Sequence, residues 1–68
     1  MKMSIRNQFT GKILEIVEGQ VVAKVKVDIG GGNTIVSVIT LDAEKELGLK
    51  VGDTVTALVK STSVMIEK

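Results

Sequence analysis

The chain has 68 residues, enough for one domain (1–68) that buries only about 60% of the surface its unfolded form would expose. It has no Cys and no His, so the disulfides and structural transition metals that usually support so small a core are closed to it, and self-association is the remaining route. Nine basic and eight acidic residues give a net charge of +1, so no global field steers the chain to nucleic acid or an anionic membrane.

The hydrophobic share is 44%, nearly all Val, Ile, Leu and Ala, with Phe9 the one aromatic residue. Such residues fit pleated, half-buried strands. From Ile5 to Val17, Phe9, Ile13 and Val17 share one parity while Leu14 and Ile16 take the other, so this strand is expected to be buried on both sides for part of its length. Glu18-Gly19 marks a turn. From Val21, the residues Val21, Ala23, Val25, Val27 and Ile29 alternate with Val22, Lys24, Lys26 and Asp28, the pattern of a half-buried strand. Gly30-Gly31-Gly32-Asn33 turns the chain into a third strand, Thr34 to Thr40, and the pair reads as a hairpin. Asp42 is expected to cap a short helix ending at Leu47, with Gly48 as its stop. Val51-Gly52-Asp53 is a further turn, followed by a fourth strand from Thr54 to Lys60 and a fifth from Thr62 to Ile66. Five strands with a helix between the third and fourth give the element order of an all-β, OB-like antiparallel barrel.

The composition speaks against catalysis. Acid–base or nucleophilic chemistry needs a nucleophile with a base, or two carboxylates in contrasting surroundings, and the carboxylates here read as solvated charges in turns, on the polar strand face and on the helix. Gly30-Gly31-Gly32-Asn33 lacks the phosphate-loop pattern and precedes a strand, so it reads as a turn. Nucleic-acid binding by an OB-like barrel relies on aromatic stacking platforms and a basic groove, which this chain does not offer. No apolar run reaches the roughly 20 residues of a bilayer span, and the N-terminus lacks the apolar core of a secretory signal, so a cytoplasmic location is expected.

Two clusters of hydrogen-bond donors remain: Ser4 with Arg6, and Lys60-Ser61-Thr62-Ser63, with Thr40 between them in sequence. Together they offer a guanidinium, an ammonium, hydroxyls and backbone N–H groups, and neither cluster contains Asp or Glu. That inventory suits a fully deprotonated oxyanion, which accepts hydrogen bonds and donates none. On the residues alone, solvated strand surface is the more frequent meaning of such charges.

The stretches Ser4-Ile5-Arg6-Asn7-Gln8-Phe9-Thr10-Gly11-Lys12, Ile39-Thr40-Leu41 leading to Glu46-Leu47-Gly48-Leu49, Gly52-Asp53-Thr54-Val55-Thr56-Ala57 and Val59-Lys60-Ser61-Thr62-Ser63-Val64-Met65-Ile66 run through the whole chain. In order and spacing they resemble the molbindins, the molybdenum-pterin-binding (Mop) proteins built from one TOBE domain. Ile5 stands where that family commonly has Ala, and Ser63 where Asp is frequent. The resemblance implies a five-stranded OB-like barrel whose N-terminal strand is exchanged in a dimer, with dimers gathered into a homo-hexamer, a trimer of dimers. It implies molybdate or tungstate bound at subunit interfaces by Ser4, Arg6, Thr40, Lys60 and Ser61, in a non-enzymatic protein of molybdenum storage and homeostasis with no organic cofactor and no cation ligands. The alternative is a TOBE-like oligomerisation or regulatory module without a ligand.

Overall fold

The computed structural model describes residues 3–68. Strands β1 (Asn7–Glu18), β2 (Val22–Gly30) and β3 (Asn33–Thr40) are followed by helix α1 (Leu41–Leu47) and strand β4 (Thr54–Val59). All pairings are antiparallel and the sheet order is β3-β2-β1-β4. The sheet curls around a small core of Ile13, Val25 and Val27, with Ile16, Ile35, Ile39, Leu49 and Val55 packed against it.

The alternation read in β2 is the fold's backbone: Ala23, Val25 and Val27 are buried while Lys24 and Asp28 face outward. Gly31 and Gly32, at φ 62° and 78°, form the two-residue turn to β3, and two successive positive φ values match the right-handed twist of a hairpin.

β1 differs from its expectation in an informative way. Its register with β2 passes from Ile13↔Val27 to Glu15↔Lys26, leaving Leu14 as a bulge. One extra residue reverses the side-chain parity. Ile13 and Ile16 therefore both face the core, opposite Val27 and Val25, while Leu14 and Val17 stay exposed. The mixed parity of the sequence reflects this bulge and not burial on both sides. Next to the bulge, Ile13 donates to the Asp53 carbonyl at 3.0 Å and accepts from the Gly52 N–H at 2.8 Å, which fastens the turn before β4 to the centre of β1.

The first half of β1, Asn7 to Lys12, pairs with β4, and the second half, Lys12 to Glu18, pairs with β2. The changeover requires close backbone contact at Gly11, where a Cβ would stand 1.8 Å from the Asp28 carbonyl oxygen. Any side chain there collides with main chain that is itself held in a strand ladder.

Two expectations are corrected after β3. The helix is capped by Thr40 and not by Asp42: Thr40 keeps the extended backbone of β3 (φ −67°, ψ 149°) and its Oγ1 accepts from the Ala43 N–H at 3.0 Å. Gly48 ends the helix as expected. The fifth strand is absent from the sheet. Ser61–Ser63 instead form a 3-10 turn, closed by Ser63 N–H to the Lys60 carbonyl at 2.9 Å, and residues 64–68 continue without strand pairing. The fold is thus a four-stranded half-barrel, open between β3 and β4, and not a closed five-stranded barrel. The N-terminal strand lies in its own chain's sheet, between β2 and β4.

Candidate functional site

Asn7 pairs with Val59, and the Asn7 Nδ2 also donates to the Val59 carbonyl at 3.2 Å. Antiparallel pairing puts the residue before Asn7 beside the residue after Val59. Arg6 and Lys60 thereby flank the last ladder pair at one end of the sheet, and Ser4 and Ser61 lie beyond them in sequence, past the end of the ladder. All four are exposed. The bonding of the 3-10 turn begins with the Ser63 N–H, so those of Ser61 and Thr62 precede it and are open to other acceptors. No ion pair involves Arg6 or Lys60 among the described residues, where the one ion pair is Lys45 Nζ to Glu18 Oε2 at 2.7 Å. This end of the sheet therefore concentrates positive charge and donors with no carboxylate to offset them.

Thr40 does not join this group. It pairs with Val22 at the start of β2, and the Gly19 N–H at the far end of β1 donates to the Val22 carbonyl at 2.8 Å. The 12-residue length of β1 separates it from Arg6, roughly 35 Å along the strand path at 3.3 Å per residue. Its hydroxyl oxygen accepts the helix-capping bond, and its proton remains available for donation. Of the five residues, one chain sets Arg6 and Lys60 at one end of the sheet, with Ser4 and Ser61 next to them in sequence, and holds Thr40 at the other end.

The Thr40 end carries a cluster that the sequence reading took for solvated charge. Glu44 on α1 is only 4% exposed and shares its helix face with half-buried Leu41, one turn earlier. Its carboxyl hydrogen-bonds that of Glu18, which with burial holds it above the ordinary carboxylate range. Glu18 is held below that range by the same bond to Glu44 and by Lys45. Lys45 in turn is raised by its pairing with Glu18. The i, i+3 spacing of Leu41 and Glu44 was the available signal, but a carboxylate on an inward face is not a pattern that apolar periodicity detects.

Residues 3–66 match the TOBE domain family. The chain is 52% identical over 66 residues to molybdenum-pterin-binding protein 2 of Clostridium pasteurianum, covering 97% of both proteins. It belongs to the Mop family. Among solved structures, this Mop chain is similar to a molybdate-binding protein from Sporomusa ovata (TM-score 0.93, 44% identity, all of both chains). It is also similar to the cytoplasmic molybdate-binding protein ModG, solved with molybdate bound (TM-score 0.86, 39% identity), covering 90% of this chain and 43% of that one. Mop proteins are binding proteins and not enzymes. The described residues contain no group of three His, Cys, Asp or Glu side chains placed to hold a metal cation, and none of their helices is long and apolar enough to cross a membrane.

Proposed function

We propose that this single-domain Mop chain binds molybdate, with tungstate as a close mimic, at interfaces between copies of itself and so stores and buffers molybdenum in the cytoplasm. The observation that supports the reading is the Asn7↔Val59 pair, which ends the ladder next to Arg6 and Lys60, with Ser4 and Ser61 close by in sequence and no carboxylate among the four. Two adjacent cations repel one another, and a tetrahedral dianion between them offsets that repulsion while accepting every donor offered. Hydrogen bonds to a charged group contribute about 1.5–3 kcal/mol each, so four to six of them, less desolvation and ordering, support affinity in the micromolar range, about −8 kcal/mol.

Thr40 completes the set only from a second copy, since within one chain it lies at the other end of β1. This supports a homo-oligomeric site and, with the family resemblance, a trimer of dimers. The ligand is the inorganic oxyanion and not a pterin: Phe9, 39% exposed, is the chain's sole aromatic side chain, and no second ring is present to enclose a heterocycle.

Calorimetric titration with molybdate, tungstate, sulfate and phosphate tests the reading. Saturable heat with the first two is expected, and its absence from a correctly assembled protein would transfer the assignment to a ligand-free interaction module.

A further inference from the structure

Two amide side chains at the start of β1 fasten main chain beside the donor residues. Ser4, Ile5 and Arg6 precede the ladder and have no strand pairing. The Gln8 Nε2 donates to the Ile5 carbonyl at 2.7 Å, which ties this stretch back to β1 at the residue between Ser4 and Arg6. Asn7, half-buried, acts on the other side of the ladder's end: its Nδ2 donates at 3.2 Å to the carbonyl of Val59, the residue before Lys60. The Lys60 carbonyl in turn accepts from the Ser63 N–H at 2.9 Å. Lys60 is thus held on both sides, and each donor segment has an amide anchor of its own.

These anchors sit where a ladder is weakest. Asn7↔Val59 is the last pair of β1 and β4, and strand ends fray when main-chain pairing alone holds them. Gln8 is exposed and takes no part in the core around Ile13, Val25 and Val27. What the two side chains supply is a fixed placement of the Ser4–Arg6 and Lys60–Ser61 backbone relative to the sheet.

Fixed placement matters for choosing among oxyanions. Molybdate, tungstate and sulfate are all tetrahedral dianions that accept hydrogen bonds and donate none, so neither charge nor donor type separates them. Size does, because sulfur–oxygen bonds are shorter than molybdenum–oxygen or tungsten–oxygen bonds. Donors that cannot move leave long, weak hydrogen bonds to an anion smaller than their span, whereas mobile donors close on either anion and lose freedom in doing so. We infer that Asn7 and Gln8 are positioning residues that set the preference of this site for molybdate and tungstate over sulfate, by keeping its two donor segments from closing on the smaller anion. The inference rests on the oxyanion site proposed above and adds to it the residues that govern its selectivity.

Gln8→Met and Asn7→Leu keep much of the side-chain shape and remove the donor. Both dissociation constants are read by calorimetry at constant ionic strength, molybdate directly and sulfate by its competition with molybdate. The dehydration of each anion is common to parent and variants, so a change in the sulfate-to-molybdate ratio reports the donor frame alone. That ratio is expected to fall roughly three- to tenfold in each variant, the equivalent of one hydrogen bond, with sedimentation unchanged. A loss of affinity shared equally by the two anions, as a general loosening of the fold would give, leaves the ratio at the parent's value and overturns the inference, as does no change at all. Should Asn7→Leu fail to assemble, Gln8→Met, at an exposed position, carries the test alone. A parent that binds no molybdate defeats the proposed site itself, whereas a parent that prefers molybdate, with variants of equal preference, defeats only the positioning role.

Discussion

The two ends of β1 have opposite electrostatic designs. At the Asn7 end, Arg6 and Lys60 stand together with no carboxylate partner, and at the Glu18 end, Glu18, Glu44 and Lys45 neutralise one another through an ion pair and a shared carboxyl hydrogen bond. The same strand thus carries one end whose charges form no ion pair among the described residues and one end whose charges are paired between α1 and the sheet. Polar residues alone do not mark a site; donors without acceptors do.

The comparison breaks most completely if the close strand contact at Gly11, between the two ends, is lost. Gly11→Ala would force the added methyl into the Asp28 carbonyl, and a cost of about 3 kcal/mol is expected, lowering the thermal midpoint by roughly 15 °C. A midpoint within a degree or two of the parent would show that the strands separate there freely.

Removing charge at the Asn7 end comes next. Arg6→Ala and Lys60→Ala are each expected to weaken molybdate by about 2 kcal/mol, roughly thirtyfold, in calorimetry, with sedimentation unchanged. Equal affinity in both variants would make that end ordinary solvated surface.

At the other end, Thr40→Ala removes the helix cap, for which about 1 kcal/mol of stability is expected, read as a melting shift of roughly 5 °C. The same variant should weaken molybdate if a partner's hydroxyl reaches the anion. A melting shift without an affinity change would confine Thr40 to the helix.

The smallest effect concerns pH. Glu44 has a raised pKa, so the folded chain holds its proton in a range where the unfolded chain has released it, and this contribution falls as pH rises from about 4.5 through the folded value. Glu18, with a lowered pKa, contributes above 4.5 and loses that contribution as pH falls through its folded value. Glu44→Gln keeps a donor for Glu18 without a titrating proton. Its melting temperature should therefore gain on the parent's as pH rises above 4.5, and parallel profiles would contradict the shared bond.

The legible parts of the fold were those governed by one strand's own pattern. The alternation from Val21 to Ile29 and the hairpin at Gly30–Asn33 needed no knowledge of neighbours. Leu14 was not legible as a bulge because an extra residue is defined by its partner strand, and β1's mixed parity has the same appearance whether a strand is bulged or doubly buried. Thr40 and Asp42 are both good caps, and the choice between them depends on where β3 stops. The segment Thr62–Ile66 is strand-like in composition, but composition carries no information about whether a sheet edge is free beside it. Of the candidate site, the donor residue types were readable and their grouping was not: Arg6 and Lys60 come to one end through the β1–β4 register, while the β2–β3 register sends Thr40 to the other.

The open slot between β3 and β4 has borders without a charged residue, which also shapes the life of a newly made chain. Such edges pair with whatever extended segment arrives, so a chain whose slot stays open is prone to aggregation. Aggregation through such edges is at least second order in concentration, so refolding from denaturant is expected to lose less material the lower the final chain concentration.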